Sequence, residues 1–284
     1  MSRSRLLAAP AVLACVLAVG ACDAAQSQDT ETVVVTEAAP PPKPLRIIFP
    51  EGFTRKQMAA RITAVNAIAR QKRHVRPKLR AKQYLKLTRR SALPGRFAGD
   101  RRARQLEGFL FPATYDFFPE TTTKELVRKQ LDAFERAWDT VDLKYARSKN
   151  LTPYDVLIIA SMIEKEAVVN SERPLIAAVI YNRLKIGLQL GIDATIRYGL
   201  DVPGTEPLHE SELESDNPYN TRTRVGLPPT PIANPGLASI KAAADPARAK
   251  YLYFLRKPNS QRHFFTASED EFFRKRCEYG YPCS

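Results

Sequence analysis

Two glutamates, Glu164 and Glu166, follow directly on an apolar run, Leu157-Ile158-Ile159-Ala160-Ser161-Met162-Ile163. A carboxyl carried at the end of an apolar helix is suited to general acid–base chemistry. Apolar surroundings disfavour its charged form and keep it protonated near neutrality. On a helix the two acids lie about 200° apart, so they cannot serve one site. Glu166 stacks over Met162 and Ile163, with Ile159 one turn further back; Glu164 stacks over Ala160 and Ser161, then Leu157. The more apolar stripe belongs to Glu166, which makes it the candidate acid. Glu164 is left for solvent or for a structural pair with a basic side chain. A solvated, charged helix end is the plain alternative for both.

Other chemistries find little support. The three histidines are scattered and no His/Cys cluster has metal-ligand spacing, so neither a metal nor a cofactor is expected. No Gly-rich phosphate loop is present. The formal charge of +14 directs attention to anionic partners: nucleic acid, membrane headgroups or acidic polymers. Fourteen Lys/Arg and a single acid, Asp100, fall between Arg70 and Arg104. That run reads either as a solvated basic face or as a surface for lipid headgroups or wall polymers.

The N-terminus argues against nucleic acid. Arg3 and Arg5 precede an apolar run from Leu6 to Ala21, short for a membrane span and right for the core of a signal peptide. It ends in Val19-Gly20-Ala21-Cys22, which resembles the lipobox of bacterial lipoproteins, with Cys22 as the lipidated residue. An ordinary signal peptide cut near Ala21 or Ala25, or an uncleaved anchor, are the alternatives. Residues 22–44 are polar, then proline-rich, and read as a disordered tether. The expected location is the cell envelope, on the periplasmic face of a membrane; Asp23 after the cysteine favours the inner one. In that oxidising setting Cys277 and Cys283 are candidates for a small-loop disulfide.

The elements that would position the acid can be read along the chain. A strand at residues 45–50 precedes a helix over 55–70 capped by Thr54, and a short helix covers 82–88. The segment 105–119, with seven aromatic or leucine side chains broken by Gly108, Pro112 and Pro119, reads as core, with sugar stacking as the alternative. A helix capped by Thr123 runs to Trp138. Thr152-Pro153 opens the acid-bearing helix, with Asp155 in the capping-box position. The next helix is capped by Ser171 and stops near Gly187. Residues 188–192 alternate as a strand, and 193–199 form a capped helical turn. Residues 217–236, with five prolines and two glycines, form an extended, fixed loop of the kind that often carries function. A short helix over 236–244, a hairpin from 251–255 to 262–266 and a helix opened by a Ser268/Glu271 capping box close the chain. The fold class expected is α+β: a mainly helical catalytic domain (105–284) with a short hairpin, preceded by a small basic αβ subdomain (45–104).

Several blocks in one order resemble the MltG/YceG-like family of endolytic murein transglycosylases. They are Leu106-Glu-Gly-Phe-Leu-Phe-Pro-Ala-Thr-Tyr115, Ala160-Ser-Met-Ile-Glu-Lys-Glu-Ala167, Glu172-Arg173 with Tyr181-Asn-Arg-Leu184, and Asp193 to Gly199. Tyr219-Asn-Thr221 with Gly226-Leu-Pro-Pro229, and Asn234-Pro-Gly236 with Tyr251-Leu-Tyr-Phe254, complete the series. The resemblance implies a LysM-like character for the small subdomain, which is short here. It assigns the catalytic acid to Glu166. The implied reaction is non-hydrolytic cleavage between N-acetylmuramic acid and N-acetylglucosamine, leaving a 1,6-anhydro end on nascent glycan strands. Asp193, Tyr219 and Asn220 are candidates for orienting the sugars, with Asn182 beside them. The family often has a glutamine where this chain has Gly191; Gln189, two residues back, is the candidate substitute. That family commonly uses a membrane-spanning helix, whereas this leader reads as a lipid anchor. Association with peptidoglycan synthases is a family-level expectation. A two-carboxylate muramidase using Asp193 with Glu166, and a non-catalytic peptidoglycan-binding envelope protein, are the alternatives.

Overall fold

Strand β1 (Leu45–Ile48) pairs antiparallel with β2 (Thr114–Phe117), so that Leu45 faces Phe117 and Ile47 faces Tyr115. The alternation of the two strands puts these four side chains inward, while Arg46 and Asp116 meet outside at 2.8 Å. The computed structural model of the chain describes residues 43–89, 93–97, 99–102 and 105–283. The leader and Cys22, with nearly all of the tether, lie outside the described residues. The expected division between residues 104 and 105 is crossed by the β1–β2 pair, and residues on both sides of it share one core.

Helix α1 (Arg55–Arg73) starts at Thr54 through a reciprocal capping box with Gln57 and ends on His74 in the left-handed region. Helix α2 (Ala81–Arg89) packs beside it. Helix α3 (Thr123–Trp138) is capped by Thr122, not Thr123: Glu125 stands three residues after Thr122 and completes the box. Thr123 is buried and its hydroxyl accepts from Arg80 N instead. Phe97, Phe109, Phe134, Trp138 and Tyr154 form a buried aromatic cluster with centroids 4.9–6.1 Å apart. The 105–119 segment is therefore mainly core; Phe118 is the ring of that segment left exposed.

After the short α4 (Lys144–Ser148), helix α5 (Pro153–Glu166) runs through the middle of the molecule. Every residue from Tyr154 to Ile163 is buried. Its start follows the sequence closely: Thr152 accepts from Asp155 N, Asp155 returns the bond, and Pro153 fills the first turn. Thr152→Ala is expected to cost about 1 kcal/mol, read as a lower urea midpoint at unchanged slope. Helix α6 (Arg173–Ile186) is preceded by a 3₁₀ turn and lacks the expected Ser171 cap. Glu172 occupies the cap position, but its carboxylate is engaged by His263 N and Nδ1.

The strand expected at 188–192 is absent. Gly191 takes a φ of +63°, which breaks the pleat, and its N–H donates to Thr221 O at 2.9 Å. Helix α7 (Asp193–Leu200) follows directly, then α8 (Glu210–Leu213) and the proline-rich loop. Helix α9 (Leu237–Ala244) packs against α5 and α6. The hairpin β3 (Tyr253–Arg256) and β4 (His263–Thr266) leads to α10 (Glu269–Glu278). Ser268 caps α10, but the box is half-made, because Glu271 binds the Thr266 hydroxyl. Cys277 and Cys283 are joined as a disulfide. Among the described residues the chain is α+β, mixed helical with two small antiparallel sheets. Among the described residues no helix is long and apolar enough to cross a membrane.

Candidate active site

Helix α5 carries its two glutamates out of the core at the C-terminal end, and tertiary partners separate them. Glu164 accepts from Arg173 Nη2 at 3.1 Å and from Gly236 N at 2.9 Å, with both charged side chains almost wholly buried. It is the structural pair, and solvent plays little part. Glu166 is the last residue of α5 and is partly open. Among the described residues nothing donates a hydrogen bond to its carboxyl. Burial of that carboxyl pushes its pKa up to about 7; the negative charge of Asp193 adds to this, against Lys165 and Arg256. The helix C-terminus works in the same direction, since its unpaired carbonyls repel a carboxylate. Glu166 is also the acid on the more apolar stripe, but that stripe is not what sets it apart. Because α5 is buried on all sides, both glutamates emerge from apolar surroundings, and Arg173 is what distinguishes them.

Asp193 opens α7, and its carboxylate meets Arg222 Nε at 2.7 Å. The Tyr219-Asn220-Thr221 run builds this corner. Thr221 accepts from Ile192 N and Gly191 N, which pins the backbone ahead of Asp193. Asn220 is fully buried, both hydrogens of its amide engaged by Leu213 and Ser215 carbonyls and its oxygen by Arg222 N. It braces its own loop. Asn182 similarly ties the Ala249 and Tyr251 carbonyls. Tyr219 stacks edge-on to Tyr198 and shares a hydrogen bond with Thr230. Gln189 is exposed, and with no strand at 188–192 the same-face relation to residue 191 does not exist. Arg183 claims the Gln189 and Leu190 carbonyls.

A cleft of about 530 Å³ lies beside this corner, lined by Tyr198 and Tyr219 on one side and by Thr54 to Gln57 of the α1 start on the other. Lys165 and Ala194, the chain neighbours of Glu166 and Asp193, line it; Glu166 itself does not. Glu107 forms its floor. This acid is 2% exposed and accepts from Arg55 N, Asn234 Nδ2 and Tyr198 OH. Burial pushes it to about 7 as well, opposed by Arg55. Its oxygens are occupied, so it serves as a junction joining α1, α7 and the proline-rich loop, whereas Glu166 is free to pass a proton. Asn234 completes that junction by accepting from Gly108 N and Leu110 N. Sequence reasoning passed over Glu107, although one acid inside the apolar run Leu106-Glu107-Gly108-Phe109 is a recognisable signal of a partnered buried charge. Among the described residues no group of three or more His, Cys, Asp or Glu could hold a metal ion.

The raised pKa of Glu166 has a stability consequence. In the unfolded chain the carboxyl loses its proton near 4.5, in the folded chain near 7. Between those values the folded state holds more protons, so this group's contribution falls as pH rises from about 4.5 to 7 and stays low above. Glu166→Gln is expected to be about 1–3 kcal/mol more stable than wild type at pH 8 and to match it at pH 4.5. Urea unfolding at the two pH values checks this; a variant less stable at pH 8 would contradict it.

The helical scaffold thus ends in one carboxyl with no hydrogen-bond donor among the described residues, next in the chain to Lys165, which lines the cleft. The chain belongs to the YceG-like family, whose model matches residues 22–277. It is 39% identical over 157 residues to an endolytic murein transglycosylase of Bacillus subtilis (strain 168), covering 55% of this chain and 43% of that protein. It is 33% identical over 194 residues to an endolytic murein transglycosylase of Streptococcus pneumoniae (strain ATCC BAA-255 / R6), covering 66% and 34%. The chain thus spans less than half the length of these curated relatives. The fold is similar to the crystal structure of a YceG-like protein from Listeria monocytogenes, with a TM-score of 0.68 and 29% identity over 82% of this chain and 76% of that one.

Proposed function

We propose that this chain is an endolytic lytic transglycosylase that cuts peptidoglycan glycan strands between N-acetylmuramic acid and N-acetylglucosamine. The observation that carries the reading is the Glu166 carboxyl, held near pKa 7 with no hydrogen-bond donor among the described residues. The names of the relatives support the substrate class. Glu166 donates its proton to the glycosidic oxygen as the bond to C1 of the muramoyl sugar breaks. The carboxylate then takes the proton of the C6 hydroxyl as its oxygen closes on C1, which gives the 1,6-anhydro end and restores the acid. One carboxyl suffices because the nucleophile belongs to the same sugar, and its effective concentration replaces an activated water. Asp193 and Tyr219 orient the sugars in this reading, while Asn182 and Asn220 hold the walls that carry them.

The same reading places the chain in the cell envelope, exported by its leader and held to the membrane through a lipid on Cys22, with the inner membrane favoured. The part before residue 105 serves as a LysM-like glycan contact, and peptidoglycan synthases are the protein partners. Digestion of purified peptidoglycan followed by mass spectrometry of the new ends tests the reaction. Anhydromuramoyl ends are expected. Reducing ends would instead assign a hydrolase in which Asp193 assists water, and no new ends would assign a binding protein.

A further inference from the structure

The stretch from Gly52 to Gly99 contains fourteen Lys or Arg and no Asp or Glu. Local structure turns many of these cations outward. The last turn of α1 ends on Arg70, Lys72 and Arg73. The connection to α2 alternates exposed Arg76, Lys78 and Arg80 with buried Pro77 and Leu79. On α2, Lys82, Lys86 and Arg89 recur at i, i+4 and i+7, a single exposed stripe with Tyr84 and Thr88 buried on the other side. Lys78 lies near Glu125 of α3, and Arg73 donates to the Lys43 carbonyl. Arg70, Lys72, Arg76, Lys82, Lys86 and Arg89 make no ion pair with a described residue. A cluster of like charges repels itself, and an anionic partner removes that repulsion.

We propose that this surface, made of the C-terminal turn of α1, the 74–80 connection and α2, docks onto the anionic headgroups of the membrane that carries the chain. Three features favour lipid over a wall polymer. The chain enters the folded unit at Lys43, beside Arg73 and so at this surface. Only twenty residues separate Cys22 from Lys43. Twenty residues reach at most roughly 70 Å even fully extended, so a lipid on Cys22 would keep the basic surface at high effective concentration near the bilayer. Ile68, four residues before Lys72 and so on the same face of α1, is 58% exposed, an apolar side chain that an interface accepts. The cleft is lined by the opposite end of α1, Arg55 and Lys56, roughly 27 Å along the helix axis. Docking by one end would hold the cleft off the bilayer, where newly made strands lie. The inference rests on the envelope location proposed above and is independent of the cleavage chemistry.

The test uses the chain from residue 22 with Cys22→Ser, the form that remains after leader removal and that carries no lipid. Sedimentation with vesicles of phosphatidylethanolamine and 30% phosphatidylglycerol is compared with phosphatidylcholine vesicles. Binding to the anionic vesicles alone is expected, with loss on raising NaCl from 0.05 to 0.5 M. Each neutralised cation should weaken binding about fivefold, so Lys82→Gln/Lys86→Gln/Arg89→Gln should weaken it about 100-fold. Lys144→Gln/Arg147→Gln/Lys185→Gln removes the same charge elsewhere and should change it less than about threefold on the same scale. Both triple variants alter exposed side chains and should unfold at the wild-type temperature. Glu166→Gln should bind as wild type, which separates failure here from failure of the catalytic reading. Equal binding to neutral vesicles, equal loss in both triple variants, or dependence of sacculus binding rather than vesicle binding on the α2 stripe would overturn the proposal.

Discussion

Glu166→Gln is expected to lower the rate of glycan cleavage by about 10²–10⁴-fold, the usual worth of a positioned general acid–base group. The amide keeps the shape of the side chain but can neither give nor take the proton that moves in both halves of the reaction. Binding of glycan should change little, because the acid acts on the reacting oxygens. The wild-type profile carries a second signature. A single group must be protonated to start the reaction, so kcat/KM should fall about tenfold per pH unit above the Glu166 pKa of about 7. Asp193 raises that pKa through its charge. Asp193→Asn should therefore move the alkaline limb to lower pH, besides any loss of sugar contact. Glu164→Gln is the control: its carboxylate faces Arg173 and Gly236, and activity at a temperature well below unfolding should persist. A chain in which Glu164→Gln abolishes cleavage and Glu166→Gln does not would reverse the assignment.

Arg173→Met is expected to destabilise the protein by about 3–5 kcal/mol, the cost of leaving a buried charge without its partner. Glu164 would keep only the Gly236 N–H, with its side chain 5% exposed. The exposed Arg46–Asp116 pair gives the contrast: Arg46→Met should cost under about 1 kcal/mol, since solvent screens both charges. Glu164→Leu combined with Arg173→Met should recover most of the loss, because two apolar side chains of similar bulk leave no buried unpaired charge, and Glu51, which also lies 3.8 Å from Arg173, is half exposed and stays solvated. Equilibrium urea unfolding of the three variants tests the set. A double variant no better than Arg173→Met alone would show that packing, not charge, dominates at this point.

Local chemistry was legible where one segment of chain contains all the relevant groups. Thr54 with Gln57 and Thr152 with Asp155 start their helices as the residue types require, and Gly187 stops α6 in the left-handed region. The reading failed where a distant partner claimed a local group. Ser171 does not cap because it lies inside a 3₁₀ turn that leads into α6, the Glu172 at the cap position has its carboxylate on His263, and the Ser268 box is half-made because Glu271 turns to Thr266. The alternation at 188–192 suggested a strand, but among the described residues no strand pairs with it, and Thr221 holds Gly191 in a turn.

The amino-acid sequence by itself determined that an apolar helix ends in two acids on opposite faces, since helical periodicity depends on local spacing alone. It also determined the basic run and most helix boundaries. Only the tertiary structure decided which acid is free. Arg173 is seven residues beyond Glu166 in the chain, yet it neutralises Glu164, and Gly236 reaches the same carboxylate from the far loop. Glu107 was likewise settled by Arg55, Tyr198 and Asn234, three groups from three separate elements. A buried carboxyl takes its proton affinity from the neighbours that surround it in space, and for these acids most of those neighbours are distant in sequence.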